Sequence, residues 1–528
     1  MSQQLVDPAA RRRVLRVLAG AAAGAATPAF AADTLACAES LLPPAPAQGF
    51  LARLRLDGAP ITLAARRGTG GAGGGALEYA VRHRGRDYLN PTLVVRQGER
   101  VKITLDNRLA VRTNVHWHGI ANDTRNDGGV TAPVAPRSRF DYAFEVRNRA
   151  GLYWYHPHPH GATAEQVHNG LYGLLEVEDP DDDALRRDLD LVPGVSEFAL
   201  VVRDTAGARP YVADAAALVH GFLGDAPRVN GVACPATHVG TRAYRLRLLN
   251  ACNARTLLVG FRSGSTPVPF HVIGNDGGLL PAPVQASAAF LGAAERIDVL
   301  LDLRNAAVGD VVVLETRAFD PMHADIPDEG AAHAAEHQHD GPTAAEHQGH
   351  GAAWPEGTAR DLLALRVARR TAYDRTLPRR LAALSPIDTT GARERPLRLG
   401  WKSGHWRIND RVYVMGETPI EVARDSTEVW LLRNYHTSMP HAMHLHGFGF
   451  EVLERETPPD AVQALAVDAR NRVASDLGRK DTVLVWPGES VRIAIRFAMP
   501  YPDPQTYLFH CHNLEHGDGG MMLGVRVA

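Results

Sequence analysis

Three stretches of this 528-residue chain repeat one pattern. "ERVKITLDN" ends at Asn107, "RAYRLRLLN" at Asn250 and "TEVWLLRN" at Asn434. Apolar residues recur at every second position, the mark of a half-buried β-strand. Each unit also opens on an earlier asparagine: Asn90 in "LNPTLVV", Asn230 in "VNGVACP" and Asn409 in "INDRVYV". A repeat of this length constrains the chain to several copies of one β unit. Three related units are expected, near residues 48–180, 190–370 and 395–528. Further alternating runs, "LYGLLEVED" (171–179), "RIDVLLDL" (296–303) and "GESVRIAIRF" (488–497), predict an all-β protein built of β-sandwiches. The length fits, at about 150 residues per domain.

The units differ in histidine. "HWHG" (116–119) follows Asn107 and "HAMHLHG" (441–447) follows Asn434, whereas "ACNARTL" follows Asn250. Units one and three are expected to carry metal ligands at their interface, with unit two a spacer. Near the C-terminus the chain reads "HCHNLEHGDGGMM" (510–522). On a strand, His510 and His512 project to one face and Cys511 to the other. One metal does not easily take all three. Two centres on opposite sides of the strand do, joined by a few backbone bonds. Lone buried cysteines are often plain core residues, but a short tract rich in His and Cys reads as a metal site.

Four H-x-H pairs occur: His116/His118, His156/His158, His444/His446 and His510/His512. The second is ambiguous, because "WYHPHPHG" also offers His158/His160. Eight imidazoles exceed the needs of one metal and suit a cluster of about three. Cys511, His441, His516 and Met521 supply a thiolate, two imidazoles and a thioether. That set matches a blue-copper site with a weak axial Met better than tetrahedral structural zinc.

The four motifs "HWHG", "WYHPH", "HAMHLHG" and "HCHNLEHGDGGMM", in this order, resemble the copper-binding segments of three-domain multicopper oxidases, the group of laccases and bacterial cuprous oxidases. The resemblance covers about residues 48–528, including "VNG", "RLRLLNACNAR" and "DGGLL…ERIDVLLDL" in the second unit. It implies three cupredoxin-like Greek-key β-sandwich domains and four coppers per chain. His441, Cys511, His516 and axial Met521 would hold the type 1 copper. His116 and His444 would hold the type 2 copper. His118, His156, His158, His446, His510 and His512 would hold the type 3 pair, leaving His160 outside. Cys511, His510 and His512 would carry electrons between the two sites. Asp127, in "NDGG", would orient water and deliver protons there, although D-G-G alone reads as a turn. Position 517 departs from the bacterial pattern: Gly517 stands where relatives often carry a proton-donating Glu, with Glu515 and Asp518 close by.

The implied activity couples four one-electron oxidations to reduction of O2 to two waters. The reductant is expected to be either a phenolic compound or Cu(I). The alternative is a copper-sequestering cupredoxin protein with little turnover. An insert at 322–350 holds six histidines and repeats "AAEHQ". It reads as a solvated loop that can also collect extra copper. At the N-terminus, Arg11–Arg13, an Ala-rich apolar run and "AFA" (29–31) read as a cleavable signal of twin-arginine type over 1–31. Export to the periplasm or outside is therefore expected. No other run has the ~20 apolar residues of a membrane span. A formal net charge of −2 lacks the basic excess that a nucleic-acid partner calls for. Four cysteines make no disulfide scaffold. Cys234 and Cys252 are expected either to pair or to stay as buried thiols.

Overall fold

The computed structural model describes residues 37, 49–68, 76–206, 211–323 and 353–528. The expected signal segment and residues 324–350 of the insert lie outside the described residues. Each repeated strand holds the same place in its sheet. Arg100–Asn107 runs parallel to Ile61–Arg67 and antiparallel to Arg139–Glu145. Ala243–Asn250 runs parallel to Glu197–Thr205 and antiparallel to Arg296–Asp302. Thr427–Asn434 runs parallel to Arg393–Lys402 and antiparallel to Ser490–Arg496.

The asparagines explain why the repeat is visible. Asn107, Asn250 and Asn434 are buried, and each side-chain amide donates to nearby loop or strand carbonyls. Asn107 reaches Val111 and Val134, Asn250 reaches Arg255 and Leu291, and Asn434 reaches Met439 and Val485. The earlier asparagines adopt left-handed backbone, with φ of 45° at Asn90, 49° at Asn230 and 52° at Asn409. Their Oδ1 atoms accept from the N–H of Tyr79, Val201 and Arg398 at 2.7–2.8 Å. Asparagine tolerates this region better than other side chains and adds a local hydrogen bond.

Among the described residues six sheets of five or six strands result. They face each other in pairs across three apolar cores, centred on Leu63, Leu105 and Leu175, on Leu246, Val259 and Leu363, and on Leu432, Met443 and Phe509. Among the described residues helices are short, the longest being Pro180–Asp188. None is long and apolar enough to cross a membrane.

Two expectations are corrected. Ala243–Asn250 is buried along its whole length rather than on one face. Its apparent polar face, Arg245 and Arg247, is covered by Asp182, Glu197 and Asp298, with Arg245 Nη1 2.7 Å from Asp182. Ion pairs take the place of solvent there. The cysteine pairing also differs: Cys234 is bonded to Cys37, and Cys252 is a buried free thiol. Bond geometry needs Cα atoms within about 7 Å, and Cys37 supplies that at 4.8 Å from Cys234.

The Asn90 site is testable. Its amide also donates to Gly170 O at 2.8 Å. Asn90→Gly keeps the backbone conformation but orphans buried groups, costing about 1–3 kcal/mol. Asn90→Ala adds left-handed strain. Thermal unfolding is expected to fall for both, and further for Ala. Equal midpoints for the two variants would show that backbone conformation contributes nothing.

Candidate metal centre

Strand register builds the site. His116–His118 lies beside Gly151–His156, placing His116 opposite His156 and His118 opposite Trp154. In the C-terminal sandwich His441–Leu445 lies beside Gln505–Cys511, placing His444 opposite His510 and Met443 opposite Cys511. The two sandwiches bring these strands face to face. The His116 and His446 rings stack at 3.8 Å, and those of His118 and His444 at 3.7 Å. Nε2 of His510 lies 3.0 Å from Nε2 of His446 and 3.3 Å from Nε2 of His158. His512 completes the group, 5.0 Å from His118 and 5.2 Å from His156 by ring centroid. His160 is exposed and packs on Tyr413 instead.

All eight imidazoles are buried, at no more than 3 % exposure. In six of them the second nitrogen is pinned, while His158 Nδ1 and both nitrogens of His512 have no hydrogen-bond partner among the described residues. Nδ1 donates to a backbone carbonyl in His116 (Asp127 O, 2.8 Å), His156 (Pro157 O, 2.9 Å), His444 (Asp481 O, 2.8 Å) and His510 (Cys511 O, 2.9 Å). A carbonyl only accepts, so in the neutral ring Nε2 keeps the lone pair. In His118 the order is reversed: Nε2 faces Asp481 Oδ1 at 3.0 Å. Among the described residues, Nε2 of His116, His156 and His444 and Nδ1 of His118 have no hydrogen-bond partner. Donor atoms gather within 4.8 Å of one another in the sets His116/His118/His156, His116/His444/His446 and His158/His446/His510. Unpartnered lone pairs converging in a buried space fit metal ions.

A second set lies on the other face of Gln505–Cys511. Cys511 Sγ is 3.5 Å from His441 Nδ1 and 3.7 Å from His516 Nδ1. Met521 is buried in the same apolar cluster, and its carbonyl accepts from Cys511 N–H at 3.1 Å. The far nitrogens are held too: His441 Nε2 by Ser438 Oγ at 3.1 Å, His516 Nε2 by Val219 O at 3.1 Å. One thiol, two imidazoles and a buried thioether are the donors that copper favours.

Electrostatics agree. Burial pushes His156, His510 and His441 down to about 3 and His118 and His516 well below their ordinary value, with neighbouring imidazoles adding to the effect. All are neutral, ligand-ready rings at pH 7. Burial pushes the Cys511 thiol up to about 12, so its thiolate needs a cation beside it.

Asp127 sits in the short helix Thr124–Asp127. Its Oδ2 accepts from His446 Nδ1 at 2.8 Å, while Oδ1 is buried without a hydrogen-bond partner among the described residues, 3.6 Å from His116 Nδ1. The glycine after it is obligatory: a Cβ on Gly128 would lie 1.8 Å from Val115 O. Glu515 and Asp518 do not face the imidazoles through these bonds. Glu515 Oε1 accepts from Asn253 and Tyr211, and Asp518 accepts from the N–H groups of Thr163 and Ala164. A Cβ on Gly517 would stand 3.9 Å from His510 Nδ1.

Sequence reasoning missed Asp481 and Trp406. Asp481 is a charged residue heading the apolar strand Thr482–Val485, the one available hint. Trp406 packs edge-on against His441 at 4.6 Å and near His516 at 5.0 Å, and donates to Val219 O. Its clue was the Ser-Gly turn that sets it opposite Trp401.

Two family models, both described as multicopper oxidase, match residues 78–182 and 388–528. The McoA multicopper oxidase of the hyperthermophile Aquifex aeolicus superposes with a TM-score of 0.77 at 31 % identity, covering 91 % of this chain and 98 % of that one. The multicopper oxidase mco of Staphylococcus haemolyticus (strain JCSC1435) is 26 % identical over 453 residues, 84 % of this chain and 82 % of its own. The bilirubin oxidase of Albifimbria verrucaria is 28 % identical over 450 residues, 82 % of this chain and 70 % of its own.

The buried histidines make a pH prediction. Burial holds His116, His118, His156, His158, His446, His510 and His512 below their ordinary value, so the unfolded chain binds more protons below about 6.5. Metal-free protein should be most stable above that pH. The histidines should cost it stability progressively as pH falls below about 6.5. Unfolding temperatures of the metal-free chain at pH 7.5 and 5 check this. A higher value at pH 5 would overturn it.

Proposed function

This chain belongs to the multicopper oxidase family, and on that premise we propose an exported four-copper oxidase that passes four single electrons to O2 and releases two waters. One observation carries the reading. Two donor sets lie on opposite faces of Gln505–Cys511, joined through the backbone between Cys511 and His510. Bound copper would supply the redox chemistry, accepting single electrons at Cys511, His441, His516 and Met521 and reducing O2 among the eight histidines.

The protein's part is geometry, burial and protons. Cys511 gives its proton away when a cation binds, and Ser438, Val219 and Trp406 hold the two imidazoles that flank its sulfur. His510 and His512, its chain neighbours, offer the shortest covalent route to the second set. Burial, and then Asp123, hold the Asp127 carboxyl well above the ordinary carboxylate range. Asp127 also borders a cavity of about 30 Å³ with Thr124, Gly129, Tyr413 and Tyr507. That is room for about one water, beside a group that can hold a proton at Oδ1.

For the reductant, the same reading favours Cu(I). His516 is only 1 % exposed, and the helix Ala215–His220 carries the Val219 carbonyl that takes its Nε2. A small reductant suits so covered a site, and the histidine-rich insert is read as a collector of further copper. Phenol oxidation is the second reading, supported by a relative named for an organic substrate, bilirubin. The disulfide between Cys37 and Cys234 supports an oxidising compartment, with the twin-arginine route as the proposed path.

Copper-loaded protein is expected to be blue and to hold about four coppers in the three-sandwich core. Cys511→Ser should abolish the colour and nearly all oxidase activity. Met521→Leu should keep the colour and shift the potential. Asp127→Asn should slow O2 turnover about 10–100-fold without removing metal. One copper per chain in an active enzyme would sink the reading. Steady-state oxidation of Cu(I) and of a phenol by one copper-loaded sample decides the substrate: faster phenol turnover defeats the Cu(I) assignment.

A further inference from the structure

The central sandwich contributes none of the twelve proposed ligands, yet one of its side chains reaches a carboxylate that touches the cluster. Arg296, at the start of Arg296–Asp302, is 1 % exposed. Its Nη1 donates to Asp481 Oδ1 at 2.8 Å, and Nη2 faces Asp481 Oδ2 at 2.5 Å. The remaining donors are taken as well. Nε goes to Leu152 O of the first sandwich, Nη1 to Ala294 O and Nη2 to Asp276 O. All five N–H groups are therefore used, a fork that lysine cannot reproduce.

Asp481 belongs to the third sandwich. Its Oδ1 also meets His118 Nε2 at 3.0 Å and accepts from Thr482 Oγ1 at 2.8 Å, while its carbonyl accepts from His444 Nδ1. Room for the carboxylate comes from Gly119 of "HWHG", where a Cβ would lie 2.3 Å from Asp481 Oδ2. The residue before it is gripped in the same way, with Lys480 Nζ 3.1 Å from both Asp276 and Glu295 of the central sandwich. One carboxylate thus receives contacts from all three sandwiches. It also decides which nitrogen of His118 is left free for metal, while the backbone carbonyl of the same residue does so for His444.

We propose that Arg296 is a positioning residue of the three-copper site: by holding Asp481 with its fork it fixes the tautomer and aim of His118 and the seat of His444. The central sandwich, without ligands, thereby sets whether that part of the site takes up copper. This rests on the four-copper reading. It goes beyond that reading by giving the second unit a role other than that of a spacer.

The test uses the full copper-loaded chain and the variants Arg296→Met, Arg296→Lys, Asp481→Asn and the double Arg296→Met/Asp481→Asn. Copper per chain, the blue absorption, and the electron paramagnetic signature of the copper at His116/His444 are read together. Arg296→Met should keep the blue band, because the Cys511 set lies elsewhere. Its copper affinity at the histidine cluster should fall about 10–100-fold, the usual loss when a group orienting a metal ligand is removed. Arg296→Lys keeps the charge and guards against a variant that fails to fold, and it should show the same selective loss. The double variant should lose no more than Asp481→Asn alone, because both act through one contact. Full copper loading in Arg296→Lys, additive losses in the double variant, or equal loss of the blue and cluster signatures would each overturn the proposal. If wild-type protein is neither blue nor copper-rich, the four-copper reading itself has failed.

Discussion

Eight imidazoles packed into a buried interface are the constraint on which this molecule turns. A buried nitrogen without a partner costs about 1–3 kcal/mol, and several lie side by side here. Protonation offers no relief, because burial and mutual repulsion push these rings well below their ordinary range. The fold answers half of the problem with carbonyls and carboxylates that take one nitrogen of most rings. In the proposed function the other half is left to metal, and the apparent flaw, a cluster of orphaned lone pairs, is then the functional element.

That cluster needs two sandwiches to meet in a fixed register. Cross-strand pairing of His116 with His156 and of His444 with His510 aligns the rings within each sandwich. Stacking of His116 on His446 and of His118 on His444 aligns them across the interface. The period of two along Gln505–Cys511 then does something that no loop could do so reliably. It sends His510 to the cluster and Cys511 to a separate apolar pocket, with only backbone between them.

Buried ion pairs hold the remaining geometry. Burial alone would raise the Asp481 carboxyl, but Arg296 and His118 outweigh it and hold it well below the usual carboxylate range. Pairs of this kind add little net stability against apolar substitutes, yet breaking one strands a buried charge. Their use here is specificity of arrangement. The Arg455 pairs with Asp476 and Glu489 follow the same logic within the third sandwich.

Much of this was legible in the chain. Alternating strands, repeated asparagines and H-x-H spacing are local, periodic features, and they determined the β class, the two faces of the Cys511 strand and three of the four histidine pairs; spacing left His156/His158 and His158/His160 open, and the family resemblance chose between them. The asparagine repeat survived because left-handed backbone and loop capping demand one residue type at each site. What only the tertiary structure decided are contacts between residues far apart in the chain. The disulfide partner of Cys234 lies 197 residues away. The burial of Arg245 and Arg247 depends on acidic groups from other elements. Asp481 gains its importance from Arg296 and His118, which come from different sandwiches. Periodicity reports which way a side chain points, but what it meets there is set by how the sandwiches pack.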